Sequence, residues 1–395
     1  MKKVIAAAAG LMLVGTMVGS ASADVSFGGD ARARAYYQQN YDFGQTESII
    51  IDPDADDTSG NRQIRRAREQ DNKIQSRVRI QARATAPGGA YAVGRALYGN
   101  GTWDGGNSGT ADIDADKAYI GVPMGMTLLQ AGRLPTDLLR STAFFEQDVT
   151  KDGLQFDVMA TDMATIGLWY FINYEAVVNG DVTDDNDISD YGIYADLKFG
   201  GDWGTRMGIL YRDDQVLQDE RDSDGAFGGI EFAGPGGPLA ISGAIAFDDR
   251  GEGDTGWGAF ASAGMQFGAT GVALEAGFTD KGFVTDGDYG FIMVGGGASI
   301  TPYTIGSEGE SNWWIGVPVT FAVSEMLTLT GNLAYIDMDE FGEGFEISGS
   351  AKYLISDGAN VQWDIGYLGY SQGDDNELDE EDSPFGTALT FNVSF

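Results

Sequence analysis

Basic side chains share one parity in two stretches near the start of the chain. Arg32 and Arg34 alternate with alanine in DVSFGGDARARAYYQ, and four basic residues fall on one parity of KIQSRVRIQARA, residues 73–84. A period of two is typical of a β-strand, whose successive side chains point to opposite faces of the sheet. A row of guanidinium groups on one face concentrates positive charge there and can create an electric field along that face.

Residue types that are absent exclude several kinds of chemistry. The chain has no histidine and no cysteine, which removes Ser-His-Asp and Cys-His catalysis, His-ligated zinc and haem attachment. Asp52-x-Asp54-x-Asp56 and Asp112-x-Asp114-x-Asp116 begin like calcium loops, but Asp57 and Lys117 stand where such a loop needs glycine. We therefore expect no enzyme, no cofactor and no specific metal site. Diffuse bridging of acidic loops to lipopolysaccharide by divalent cations and a purely solvated acidic surface stay open.

The overall charge of the chain makes one class of partner improbable. A formal charge of −36 repels phosphate backbones, so we expect no nucleic-acid partner. Acidic chains can be disordered, but 43% hydrophobic and 11% aromatic residues predict a folded protein.

The N-terminus resembles an export signal. Lys2 and Lys3 precede an apolar stretch, residues 4–19, and a small-residue segment follows before Asp24. This order predicts a secretory signal peptide over residues 1–23 and one mature domain over residues 24–395.

Alternation of apolar and polar residues recurs along the whole mature chain. It appears in segments of about 8–13 residues, the length of a tilted strand that crosses a bilayer. The segments include LQFDVMA, TIGLWYFINYEA, YGIYADLKF, TRMGILYR, LAISGAIAF, VALEAGF, LTLTGNLAYI, FEISGSAKYLI and VQWDIGYLGY. The last one, TALTFNVSF, puts Leu389, Phe391, Val393 and Phe395 on one face.

Two kinds of connection separate these strands, and they alternate. Short connections are rich in glycine, as at Gly200-Gly201-Asp202 and Ser356-Asp357-Gly358, whereas long ones are acidic, as in DVTDDNDISD and GDDNELDEEDS. A membrane barrel has this asymmetry because its two rims face different compartments. We predict an all-β, transmembrane, antiparallel up-and-down barrel of about 18 strands (range 16–20), with short periplasmic turns and long acidic extracellular loops. Residues 288–312 are ambiguous and form either no strand or two.

The barrel assignment tells which way the basic residues point. An outward-facing arginine costs about 2–4 kcal/mol at the bilayer midplane, so seven of them belong inside. Inside, they either line one wall of a channel or pair with carboxylates and only stabilise the barrel. The seven tryptophans are candidates for the interfacial aromatic girdles. The inward-facing basic residues are Arg32, Arg34, Lys73, Arg77, Arg79, Arg83 and Arg95.

A short region carries a family resemblance. From Lys117 the chain reads KAYIGVPMGMTLLQAGRLPTDLL, and from Lys151 it reads KDGLQFDV. This region resembles Gram-negative porins in its Ala-Tyr-x-Gly strand, its Gly-Arg strand end and its following Asp-Gly-Leu strand. The terminal Phe395 looks like the C-terminal signature of Gram-negative outer-membrane proteins.

The resemblance implies a function and a place. It implies a water-filled channel in the outer membrane, often trimeric, for passive diffusion of small hydrophilic solutes or ions, with lipid and lipopolysaccharide around it. It also implies that a loop after Gly132-Arg133 narrows the pore, with Arg133 on one side and Asp137, Glu146 and Asp148 on the acidic side. The loop lacks the Pro-Glu-Phe-Gly-Gly run of many porins. A sealed structural or surface-interaction barrel, or the barrel sheath of a larger complex, is the alternative.

Overall fold

The structure is a computed structural model. It describes residues 23–40, 50–51, 64–65, 70–103, 113–139, 150–174, 177–178, 181–182, 188–214, 224–250, 255–280, 283, 311–338, 342–372 and 383–395. Within these residues no helix is long and apolar enough to cross a membrane.

Eighteen long antiparallel strands form one sheet. They are β1 Asp24–Gln39, β2 Gln70–Thr85, β3 Tyr91–Trp103, β4 Ile113–Met124, β5 Thr127–Pro135, β6 Thr150–Thr161, β7 Ala164–Tyr174, β8 Ile188–Phe199, β9 Trp203–Asp214, β10 Gly225–Gly236, β11 Leu239–Asp248, β12 Gly256–Phe267, β13 Thr270–Asp280, β14 Asn312–Ala322, β15 Leu327–Met338, β16 Gly342–Ser356, β17 Ala359–Gln372 and β18 Phe385–Ser394. Two short hairpins, Ile50–Ile51 with Ile64–Arg65 and Val177–Val178 with Asp181–Val182, lie in connections between them.

The sheet closes on itself. Each strand pairs with its neighbours in sequence, and β1 pairs with both β2 and β18, so that Ala33 lies opposite Ser76 and Phe391. Closure leaves no strand edge whose backbone groups lipid could not satisfy. The predicted antiparallel barrel and the count of 18 strands are confirmed.

The two parities of each strand differ in character. One parity carries large apolar side chains that the isolated chain leaves exposed, such as Phe27 (72%), Ile120 (55%) and Leu168 (51%). The other carries most of the charged side chains of the strands, many of them buried, such as Asp190 and Glu346. A barrel in lipid places the apolar parity outside, so the charged parity faces the interior.

Exposed aromatic residues lie at two levels on the outer face, as expected for interfacial girdles. Near the short connections they are Phe27, Phe199, Phe267, Phe321, Tyr353 and Phe395, and near the long ones Tyr191, Tyr211, Trp257, Trp313, Phe345 and Tyr367. Not all tryptophans belong here. Trp169 and Trp314 are buried on the inner parity, so the girdle interpretation is wrong for these two.

The connections differ in length at the two rims. At the rim that holds Asp24 and Phe395, β4 and β5 are joined through Gly125, and β12 and β13 through Gly268. Both glycines have a positive φ, +68° and +60°, which a tight turn requires. At the opposite rim the connections are longer, except that only three residues separate β15 from β16.

Candidate functional site

The charged inner face is most basic on β1 and β2. The register places Arg32 directly opposite Arg77, and Asp30 directly opposite Arg79. Asp30 accepts a hydrogen bond from Arg79 Nε at 2.7 Å and one from Arg77 Nη2 at 3.4 Å. This part of the inner face, formed by Arg32, Arg34, Arg77 and Arg79 around Asp30, is called the basic wall below.

Arg32 is the least compensated member of the basic wall. Within the described part of the chain, no hydrogen bond or ion pair joins Arg32 to a carboxylate, because Asp30 is engaged by Arg77 and Arg79. Like charges that face each other across paired strands repel, so the pair Arg32 and Arg77 is stable only where water screens it.

Two further predicted residues lie on the inner face but are engaged. The Arg83 guanidinium stacks 3.7 Å from the centre of the Tyr91 ring. Arg95 is buried and forms a 2.7 Å ion pair with Asp116, which neutralises its charge locally. The alternative in which basic residues pair with carboxylates therefore describes Arg77, Arg79 and Arg95, and Arg32 is the basic residue here for which the described residues show no such pair. Lys73 lies in β2, but its side chain is outside the described residues.

The chain turns into the barrel directly after β5. Residues 136–139, called the inward segment below, lie against the inner face of β7–β10. Leu138 and Leu139 are 3% and 1% exposed. They belong with an apolar patch that occupies part of the barrel interior. The patch consists of Leu134, Leu138, Trp169, Phe171, Tyr194, Leu210 and Phe227, with Leu139 beside it.

Glycines on the wall make room for the inward segment. Gly208 of β9 and Gly229 of β10 lie opposite each other on the inner face. A Cβ atom on Gly208 would lie 2.7 Å from Leu138 Cδ1, and one on Gly229 would lie 3.1 Å from Leu139 Cδ1. The distance at Gly208 is shorter than real Cβ contacts and the one at Gly229 is tighter than most of them, so glycine at both positions leaves room for the two leucines.

The glycines of the two porin-like motifs are also neighbours. Gly132 of β5 lies opposite Gly153 of β6. Gly132 has φ +121°, and a Cβ there would lie 2.3 Å from the Ala118 carbonyl oxygen; one on Gly153 would lie 2.8 Å from Phe171 Cδ1. Glycine is thus required at both positions by the close approach of the neighbouring strands.

Arg206 of β9 joins the wall to the inward segment. Its Nε donates to the Leu138 carbonyl at 2.9 Å, and its Nη2 donates to the Asp137 carbonyl at 2.5 Å. Its Nη1 donates to Asp196 at 3.1 Å, and the guanidinium lies 4.4 Å from the centre of the Tyr194 ring. Sequence analysis missed Arg206, although alternation in TRMGILYR puts it on the polar parity.

The remaining predicted constriction residues are placed differently. Asp137 is in the inward segment, while Glu146 and Asp148 lie outside the described residues. Arg133 is on the outer parity, opposite Ala118, and forms a 2.9 Å ion pair with Asp152 across β5 and β6. Arg133 therefore does not face the lumen, which corrects its prediction as a constriction residue.

Carboxylates on other strands supply negative charge to the inner face. Glu275 of β13, Glu346 of β16 and Asp364 of β17 share the inner parity. Near the long connections, Asp190 is buried between Lys151 (2.5 Å) and Arg212 (2.9 Å). Sequence analysis expected the acidic counterpart in the loop after β5. The period of two in VALEAGF, FEISGSAKYLI and VQWDIGYLGY could have located it on strands instead.

The described residues show no candidate metal site. No group of three or more acidic side chains there is arranged to hold a metal ion.

Comparison with known proteins agrees with this architecture. No family model and no curated protein matches the chain. Solved structures do match. A BenF-like porin from Pseudomonas fluorescens Pf-5 superposes with a TM-score of 0.61 at 12% identity, covering 94% of this chain and 98% of that one.

OccK2 (OpdF) from Pseudomonas aeruginosa has a TM-score of 0.59 at 12% identity, and the match covers 94% of this chain and 98% of that one. The anion-selective porin from Comamonas acidovorans has a TM-score of 0.50 at 12% identity, and the match covers 95% of this chain and 100% of that one. The predicted resemblance to outer-membrane porins is confirmed for the fold.

Proposed function

We propose that this chain, whose fold is that of outer-membrane porins, forms a water-filled channel through which small hydrophilic solutes and ions diffuse passively across the outer membrane. The basic wall lines one side of the channel. Glu275 of β13 is the half-buried carboxylate on another side, whereas Glu346 of β16 and Asp364 of β17 share the inner parity but are buried.

The observation that carries the proposal is the environment of Arg32. Asp30 is engaged by Arg77 and Arg79, and Arg32 has no ion pair within the described residues. An unpaired guanidinium in a dry interior would cost several kcal/mol, which no contact here offsets. Water in the lumen removes that cost, and barrels of 16–18 strands are wide enough to hold an aqueous channel.

The similar structures are consistent with such a role. One is named an anion-selective porin, and OccK2 (OpdF) has been solved in complex with glucuronate. At 12% identity, neither the anion selectivity of the one nor the glucuronate binding of the other can be assigned to this chain. These neighbours are porins, which are not enzymes, so the fold alone gives coarse support to the expectation that this chain is not an enzyme.

Solute flux tests the proposal. Liposomes that contain the purified barrel should swell in iso-osmotic solutions of small neutral sugars, more slowly as the sugar becomes larger. The variant Arg32→Gln/Arg77→Gln should pass neutral sugars at the wild-type rate but admit anionic sugar acids more slowly. Barrels that show the heat-dependent gel mobility of folded protein, yet cause no swelling, would support the sealed structural barrel.

The proposal extends to export and assembly. Residues 1–23 direct export and are removed, which N-terminal sequencing of protein from the outer membrane would check. The channel assembles as a homotrimer within lipid and lipopolysaccharide, which cross-linking in native membranes would check.

A further inference from the structure

We propose that Arg206 is a positioning residue that clamps the inward segment, residues 136–139, to the barrel wall and so sets the free cross-section of the lumen. The proposal rests on the proposed channel function for its effect on conductance. The clamp itself is a structural claim that can be measured without any flux.

The first argument is the hydrogen bonding of the inward segment. Two successive carbonyl groups, of Asp137 and Leu138, both accept from the one guanidinium at 2.5 and 2.9 Å. Buried backbone carbonyls need partners, and these two lie beyond the last residue of β5 that pairs with β6, Pro135. At this point Arg206 supplies the hydrogen-bond donors that a neighbouring strand would otherwise supply.

The second argument is that Arg206 is itself held in place. It lies opposite Asp196 of β8 and Glu231 of β10 in the register, and its Nη1 donates to Asp196. Its side chain is 10% exposed and rests against the Tyr194 ring, whose hydroxyl donates to Asp157 at 2.6 Å. A charge so buried and so closely paired contributes little to attracting solutes, and its planar fork of donors fits the two carbonyls.

The third argument concerns what would remain without the clamp. Leu138 and Leu139 would keep their recess over Gly208 and Gly229, but apolar contact has little directional preference. The two carbonyls, which are part-buried, would be left unpaired unless the segment moved toward water. Loss of Arg206 should therefore release the segment while the barrel stays closed.

A cysteine reporter tests the clamp directly. The chain has no cysteine, so Leu138→Cys introduces a single thiol at a position that is 3% exposed. A water-soluble maleimide should label it slowly. Adding Arg206→Ala or Arg206→Lys should speed labelling about tenfold or more, because lysine cannot reproduce the fork of donors. If Arg206→Ala does not fold, Arg206→Lys carries the test.

Arg212→Ala is the matched control. Arg212 lies on the same strand and the same face, but its hydrogen bonds go to Asp190 rather than to the inward segment. Labelling in this background should match that of Leu138→Cys alone. Labelling that is unchanged by Arg206→Lys and Arg206→Ala, or is accelerated equally by Arg212→Ala, would overturn the clamp.

Single-channel recording adds the functional readout. Arg206→Lys preserves charge, so conductance should rise while the anion-to-cation permeability ratio stays at the wild-type value. A changed ratio with unchanged conductance would contradict the positioning role. If the wild-type protein does not conduct at all, the proposed channel fails, whereas the labelling rates still decide whether Arg206 clamps the segment.

Discussion

Replacing Arg32 by glutamine removes the least compensated charge of the basic wall and should lower the preference of the channel for anions. Arg32 is half-buried on the inner face, opposite Arg77, and the described residues give it no ion-paired carboxylate. Its removal also relieves repulsion of Arg77, so the barrel should fold at least as well as the wild type.

The size of the effect follows from Coulomb's law in a water-filled lumen. An ion that passes about 7 Å from the guanidinium gains or loses about 0.6 kcal/mol in water, which screening at 0.1 M salt reduces to about 0.3 kcal/mol. Anions and cations shift in opposite directions, so the anion-to-cation permeability ratio should fall about threefold at 0.1 M salt. At 1 M salt, with a Debye length of about 3 Å, the fall should be only about 1.2-fold.

Reversal potentials in a KCl gradient across a planar bilayer measure this ratio. Arg32→Lys keeps the charge and should leave the ratio unchanged. Arg133→Gln removes an arginine from the outer face and should also leave it unchanged, because this side chain is paired with Asp152 behind the barrel wall. A fall in the ratio for Arg133→Gln but not for Arg32→Gln, or a fall equally large at 1 M salt, would refute this reasoning.

Two further predictions concern stability, and thermal unfolding in lipid vesicles checks both. Gly132→Ala should destabilise the barrel by about 1–3 kcal/mol, because φ is +121° there and the new Cβ would meet the Ala118 carbonyl. Gly94→Ala is the control and should be nearly neutral, because no atom lies within 4 Å of the new Cβ. Equal losses of stability for the two variants would contradict the steric argument. Asp152→Asn should lower the free energy of unfolding by about 1–2 kcal/mol, because it leaves Arg133 without its ion pair on the outer face. Adding Arg133→Gln to this variant should restore most of the lost stability. If the effects of the two substitutions were simply additive, the ion pair would contribute nothing to stability.

The fold was predictable because a barrel in lipid enforces a strict alternation. In TALTFNVSF and KIQSRVRIQARA every second residue meets lipid, so parity alone places Phe391 outside and Arg77 inside. Connection lengths then distinguish the two rims. These are local signals, and a single sequence carries them.

Alternation fails where protein fills the interior. In TLLQAGRLP, residues 127–135, both parities carry leucine, since Leu129 meets lipid and Leu134 lies under the inward segment. Parity within this strand alone therefore did not place Arg133, whose outward direction follows from the register that sets it opposite Ala118 and Asp152. Trp169 was misplaced in the aromatic girdle for the same reason, because it belongs to the apolar patch inside the barrel.

The contact between Arg206 and the inward segment lay beyond sequence reasoning for another reason. It joins a side chain to backbone carbonyls 68 and 69 residues earlier in the chain, and every residue type offers a carbonyl. The glycines at 208 and 229 were visible, but their purpose depends on two leucines that the register brings above them.

The most direct test of the central claim is single-channel recording of the purified wild-type barrel in a planar bilayer. A water-filled lumen predicts stepwise current increases of uniform size, linear in voltage, whose conductance grows with the conductivity of the bath salt. Folded, heat-modifiable barrels that insert into the bilayer without any steps would contradict an open channel and would show that the charged interior is closed.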